Sequence, residues 1–294
     1  MQSLWMLLAC VMFAIMGACV KVAGESGVSL SQVVLFRGLP SVLLLLVWAH
    51  TTHRSLRPKQ WKPHILRNGT GIVSMWMGFF ALTHLPLSTA ISLNYTSPLF
   101  IAVWMLGWGG GQRDMVRVAS VVLGFLGVLS VLRPSLGDDQ WLAASVGLGA
   151  GCLSAAAMMQ IRSLGRIGEP EWRTVFIFSC FVCLSSFGGL AVYGWTPIHA
   201  DGWLALIGIG LSGLVGQLAM TRAFGLGSAL LTAVLQYTTI IAGAGLGILF
   251  WDDIPDAIAW LGMALIISAG LLSTWRTYSE DRLMRGQAGQ TAAE

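Results

Sequence analysis

The sequence predicts an all-α membrane protein with ten transmembrane helices in two inverted five-helix repeats. Three observations predict it. The chain is 55% hydrophobic and only 10% charged, with mean hydropathy +0.74, whereas a soluble domain carries about a quarter charged residues. Apolar windows long enough to cross a bilayer, about 20 residues each, recur along the whole chain. The chain also aligns on itself. Residues 12–37 fall without gaps on 153–178, and LNYTS at 93–97 falls on LQYTT at 235–239.

The windows are 3–21, 29–49, 65–83, 86–107, 116–133, 141–161, 173–194, 202–222, 228–250 and 257–275. Helix breakers or charges separate them: Leu85-Pro86, Gly109-Gly110-Gly111, Arg133-Pro134, Glu169-Pro170, Pro197 and Asp252-Asp253-Ile254-Pro255. No run shows the ten-residue strict alternation of a barrel strand. Residues 4–16 lack the preceding basic residues of a cleaved signal, so the first window reads as a retained span. Five cysteines lie inside apolar runs. Cys180-x-x-Cys183 has redox or zinc spacing, but no second ligand pair follows it, and helix packing is the simpler reading.

Lys and Arg placement sets orientation. With both termini cytoplasmic, that side collects Arg54, Arg57, Lys59, Lys62, Arg67, Arg113, Arg117, Arg162, Arg166, Arg173, Arg222, Arg276, Arg282 and Arg285. The outer side receives Lys21 and Arg133. The net charge of +4 (17 basic minus 13 acidic residues) therefore speaks to topology, and no nucleic-acid partner is expected. The self-alignment divides the chain into repeats 1–134 and 141–276, with a polar cytoplasmic tail at 277–294. Five spans is an odd number, so the second copy is inserted upside down. Inverted repeats are a signature of secondary transporters, whose sites lie near the midplane between them.

The paired clusters point to such a site. Asn94 lies eight residues into the fourth window and Gln236 eight into the ninth, each about 12 Å deep at 1.5 Å per residue. They approach a core about 30 Å thick from opposite faces. Polar side chains in lipid must find partners or face water. Asn94, Tyr95, Thr96, Ser97, Gln236, Tyr237, Thr238 and Thr239 thus line a solvated cavity or act as interhelical glue. The long amides and phenols of Asn94, Tyr95, Gln236 and Tyr237 are the stronger cavity candidates, with Ser97 beside them. Pro98 removes a backbone bond and marks a kink or gating point.

Arg37 is the one charge placed well inside a window. It either pairs with a substrate carboxylate or phosphate, or ties helices together. The tie is favoured, so Arg37→Ala is expected to harm folding as much as transport. Its repeat counterpart is Phe178. Lys21 ends the first span as an anchor. Trp76 could stack a planar substrate or simply pack. Gln217 sits near Gly210, Gly213 and Gly216, which suit close helix contact. Tryptophans near span ends, such as Trp61, Trp141, Trp172 and Trp203, read as interfacial anchors. No Asp or Glu is placed mid-span, which argues against a buried carboxylate as proton carrier.

Two motifs mislead. Gly208-Ile209-Gly210-Leu211-Ser212-Gly213 satisfies GxGxxG, but the dinucleotide fingerprint needs a strand before it. The same stretch resembles a rhomboid serine motif, yet no histidine follows Ser212 to act as base.

The pattern resembles the drug/metabolite transporter superfamily, EamA type. The residues that carry the resemblance are Met16-Gly17 to Lys21, Leu35-Phe36-Arg37-Gly38, Asn94-Tyr95-Thr96-Ser97-Pro98, Leu235-Gln236-Tyr237-Thr238 and Trp260-Leu261-Gly262 to Gly270. They span about residues 3–276. Family members usually carry a glutamate after the fourth and ninth spans, where this chain has Gly110-Gly111 and Asp252-Asp253. The essential first-span glutamate of small multidrug members is absent, which argues against that kind of drug/proton antiport. The resemblance implies alternating access and a small-molecule substrate such as an amino acid, nucleoside, vitamin or S-adenosylmethionine-like metabolite, with no cofactor. The expectation is a secondary active transporter in a bacterial inner membrane, with the lipid bilayer as its environment and a coupling proton or ion left open. The alternatives are a non-transporting scaffold or an intramembrane enzyme.

Overall fold

The computed structural model describes residues 2–97, 99–100, 140–226 and 235–269, with scattered positions in 115–130 and 271–279. Every regular element among them is a helix: α1 Gln2–Glu25, α2 Leu30–Thr51, α3 Trp61–His84, α4 Leu87–Asn94, α5 Trp141–Arg166, α6 Glu171–Tyr193, α7 Ala200–Leu226, α8 Thr238–Trp251 and α9 Ala257–Ala269. Five of these, α1, α2, α5, α6 and α7, are long and apolar enough to span a membrane. At 24 residues, α3 is also long enough, about 36 Å at 1.5 Å per residue. Its first two turns carry Lys62, His64, Arg67 and Asn68, which lower its hydropathy. Most of the fifth window (116–133) and the stretch 101–114 lie outside the described residues, as do Pro98 and 227–234.

The three largest packings are α1 on α7, α3 on α5 and α2 on α6. Weaker ones follow the same logic: α4 packs on α5, α1 on α8, and α4 on α8. The core between them is apolar, with Val20, Val33, Leu87, Leu93, Leu206, Ile209 and Ile240 all fully buried. The outer faces of α2 and α6 expose Leu43, Leu44, Val47, Leu184 and Phe187, as helices bathed in acyl chains do.

Small residues let the helices approach. A Cβ on Gly38 would lie 2.7 Å from Cys183 Sγ and 2.9 Å from the Ser179 carbonyl, so α2 crosses α6 there. The GxGxxG stretch on α7 is a groove of the same kind. Gly208 faces Cys19 Sγ and Gly210 faces the Phe36 carbonyl, while Gly213 faces Arg37. Pro40 lies four residues after Phe36 inside α2 and cannot donate to that carbonyl, which leaves it free to meet α7. Ser212 donates to the Gly208 carbonyl of its own helix. Cys180 and Cys183 are free thiols.

Backbone conformations recur at a fixed spacing. Left-handed φ values occur at Gly27 (77°) and Gly168 (70°), and at His53 (51°) and Gly194 (73°). Each pair is separated by 141 residues, the spacing of the self-alignment. The hydrogen bonds at these turns repeat as well. Gln32 Nε2 donates to the Thr196 carbonyl at 2.8 Å. Arg173 Nε donates to the Ser55 carbonyl at 3.0 Å. Gln32 and Arg173 are again 141 apart, and so are Ser55 and Thr196.

The fourth window departs from expectation. The sequence marks a kink or gating point at Pro98 within 86–107, but α4 already ends at Asn94, and Tyr95 and Thr96 form a turn before helix resumes at Ser97. Thr96 N bonds the Leu93 carbonyl at 3.2 Å, in the tighter three-residue register. The ninth window is also interrupted, by a turn at Tyr237 ahead of α8.

Candidate functional site

A central cavity of about 150 Å³ lies between these helices, room for on the order of ten waters. Arg37, Asn94, Tyr95, Gln217 and Gln236 all line it. Ser97, Tyr237 and Trp76 do not. Ser97 is fully buried and its hydroxyl lies 3.7 Å from Met158 Sδ. Tyr237 is buried with an unpartnered hydroxyl. Trp76 Nε1 donates to Ser185 Oγ on α6 at 3.1 Å, which fits the packing reading. Thr96 donates to its own helix at Leu93, and Lys21 sits 5.0 Å over the Trp251 ring at the end of α1.

The two interruptions bring the amides to the cavity, and a neighbouring helix seats each one. A Cβ on Gly151 of α5 would lie 2.8 Å from the Leu93 carbonyl and would strike Thr96 Oγ1. On the other side, Cys10 Sγ of α1 donates to the Leu235 carbonyl at 3.2 Å. Cys10 and Gly151 are 141 residues apart, and Leu93 and Leu235 are 142 apart. The carbonyls at the two breaks thus meet a thiol in one place and a bare backbone in the other. Asn94 packs its amide against Gly78 of α3. Gln236 Nε2 lies 3.6 Å from Met158 Sδ, a weak acceptor, so its amide keeps capacity for a ligand.

Arg67 is the main correction. Lys/Arg counting uses it only as a marker of the cytoplasmic side, but it is 3% exposed and lines the cavity. Its guanidinium lies flat over Phe178, Cζ 3.5 Å from the ring centroid. The signal was in the sequence. Trp61-Lys62-Pro63 marks an earlier helix start, since proline suits a first turn, and from there Arg67 is about 9 Å deep. Ser74, Ser154, Phe79 and Met158 are further lining residues that sequence reading did not single out. Ser74 Oγ donates to the Ala150 carbonyl at 2.8 Å.

Arg37 has a neutral partner. Its Nη2 donates to Gln217 Oε1 on α7 at 3.2 Å, while Nη1 has no partner. The structure therefore shows the interhelical tie and leaves part of the guanidinium unused. The cavity as a whole is amphiphilic, with guanidiniums and amides set among Phe13, Phe79, Phe178 and methionines.

Comparison with known proteins places this architecture. The model of the EamA-like transporter family matches residues 1–133. The chain is 30% identical over 263 residues to the pseudopaline exporter of Pseudomonas aeruginosa, covering 89% of this chain and 92% of the exporter. The chain belongs to the EamA-like transporter family. It is therefore a multi-pass membrane transporter of the drug/metabolite superfamily and not an enzyme. Another family relative, a riboflavin transporter of Vibrio cholerae, is 26% identical over 286 residues, 95% of each chain. A solved crystal structure superposes with TM-score 0.68 at 15% identity, over 93% of this chain and 96% of that one, a likeness of fold.

Proposed function

We propose that this EamA-like transporter is a secondary active carrier of a small polar organic metabolite across the bacterial inner membrane. It works by alternating access between inverted repeats 1–134 and 141–276, with both termini and the tail 277–294 cytoplasmic. The observation that carries the reading is the cavity itself. Asn94 and Gln236, set at matched interruptions of two helices, face one space, and both halves of the chain wall it. The helix pairing supports the repeats, because exchanging the halves turns α1 on α7 into α5 on α3 and leaves α2 on α6 unchanged. The left-handed turns and the Gln32 and Arg173 hydrogen bonds, recurring at 141 residues, support them as well. The relatives' named solutes, pseudopaline and riboflavin, are organic metabolites, which suits a cavity of guanidiniums, amides and aromatic rings.

The test is counterflow in proteoliposomes with a metabolite panel that includes riboflavin. Trans-stimulated uptake of at least one organic solute, lost in Asn94→Leu with Gln236→Leu, is the expected result. No exchange of any member by well-folded protein would favour a non-transporting scaffold.

A further inference from the structure

We propose that the central cavity binds an organic anion, with its carboxylate or phosphate held between Arg37 and Arg67. The inference rests on the transporter reading and names the substrate class for it. Both arginines are almost fully buried, at 2% and 3% exposure. Arginine is rarely buried to this extent unless paired, and an uncompensated buried charge costs several kcal/mol even after relaxation. Yet no carboxylate lies within 4 Å of either guanidinium among the described residues. Their contacts are the neutral Gln217 amide and the face of Phe178. The two cations also lie within electrostatic range of each other, a repulsion that a bound anion would offset.

For the fully buried atoms of the cavity lining, the unmet hydrogen-bonding capacity has one sign. Among cavity-lining residues, the buried polar atoms without partners are Arg37 Nη1, Arg67 Nε and Nη1, and Gln217 Nε2. All four are donors. A cationic solute would be repelled, and the ammonium of a zwitterion would find no carboxylate here. Carboxylates and phosphates accept the forked donors of arginine in pairs. Stacking on Phe178 occupies the face of the Arg67 guanidinium and leaves its N–H edge for such a ligand.

The buried acid Glu169 is already committed. Glu169 accepts from Lys59 N at 3.0 Å and from Arg173 Nη1 at 3.0 Å, and it lies 3.7 Å from His64 Nε2. It holds the α5–α6 turn against the α2–α3 connection and is not the counter-ion of the cavity. Phe13, Phe79, Met158 and Met220 complete the wall and suit the organic body of the ligand.

A set of similar aromatic probes differing in charge tests this. Thermal unfolding of the purified full-length protein is followed with benzoate, phenyl phosphate, benzamide and benzylammonium at matched ionic strength. Benzoate or phenyl phosphate should raise Tm, while benzamide and benzylammonium should not. Comparing the two anions tells carboxylate from phosphate. Arg37→Gln and Arg67→Gln should each weaken the anion effect at least tenfold while the ligand-free variants unfold no earlier than wild type, because each loses an unpaired buried charge. A benzamide response equal to the anions', no rise with either anion, or an anion effect unchanged in both variants would overturn the proposal. Transport is read separately in proteoliposomes. Solute exchange that survives both arginine substitutions sinks the anion site and leaves transport standing. Arginine-dependent anion binding by protein that exchanges no solute does the opposite.

Discussion

At the scale of single residues, Arg37 shows how a structure redistributes an expectation. The sequence favours a helix tie there, and the tie exists as one bond to Gln217. A bond of that kind contributes about 1–2 kcal/mol net. Against it stands an uncompensated buried charge, whose removal returns a comparable amount. Arg37→Met, which keeps much of the volume, should therefore reach the membrane at wild-type abundance and lose transport. Immunoblots beside uptake assays check this, and loss of the protein itself would restore the structural reading. Gln236→Leu is a cleaner case, because its amide donates to a weak thioether acceptor, Met158 Sδ. Expression should be unchanged and uptake reduced several-fold, and unaltered kinetics would return Gln236 to helix packing. Arg37, Asn94 and Gln236 were legible because amides and charges inside apolar runs announce themselves. Arg67 was not, because a basic residue near a window's edge looks like a topology signal until the helix start is moved from 65 to Trp61.

Among elements, the helices were legible and their interruptions only half so. Hydropathy marks a span by its length and composition. It says nothing of a turn inside one. The break after Asn94 has a local cause in Pro98, which cannot donate to the carbonyl four residues earlier. The turn at Tyr237 has no proline nearby, and nothing local in the sequence marks it. What the sequence does not display is the helix that seats the break. Gly151 gives the Leu93 carbonyl and the Thr96 hydroxyl their place, and a Cβ there would sit within 2.8 Å of backbone. Overpacking a fitted contact costs about 1–3 kcal/mol. Gly151→Ala should lower thermal stability by that amount and reduce transport. Gly188→Ala on α6, where a Cβ meets nothing within 4 Å, should be neutral or slightly stabilising because alanine is the better helix former. Tryptophan-fluorescence melts of the two variants decide it, and equal stability would mean that α4 is not fixed by this contact.

For the whole molecule, one hydrogen-bonding device recurs on the two faces. On the face where α1 and α3 begin, Arg173 of α6 reaches the Ser55 carbonyl, and Glu169 reinforces it through Lys59 N and Arg173. On the opposite face, Gln32 of α2 reaches the Thr196 carbonyl, and Trp251 Nε1 donates to Glu25 at 2.7 Å. In each case the first turn of one helix, α2 or α6, bonds the connection that follows the other. A carrier needs two closures of similar strength, because a ligand can shift the balance between states only by its differential affinity for them. In the proposed two-repeat carrier, duplicated sequence would supply such a pair, one on each face. Loss of one hydrogen bond is worth about 1 kcal/mol, roughly a fivefold change in relative population. Gln32→Leu and Arg173→Leu should therefore bias the protein in opposite directions. A single cysteine at Ser154 on the cavity wall, in a variant lacking the five native cysteines, reports the bias through labelling by an impermeant maleimide applied from each side. Gln32→Leu should speed labelling from the face where α1 ends, and Arg173→Leu from the face where α1 begins. Labelling that rises from the same side in both variants would mean that these bonds brace the fold and do not gate the cavity.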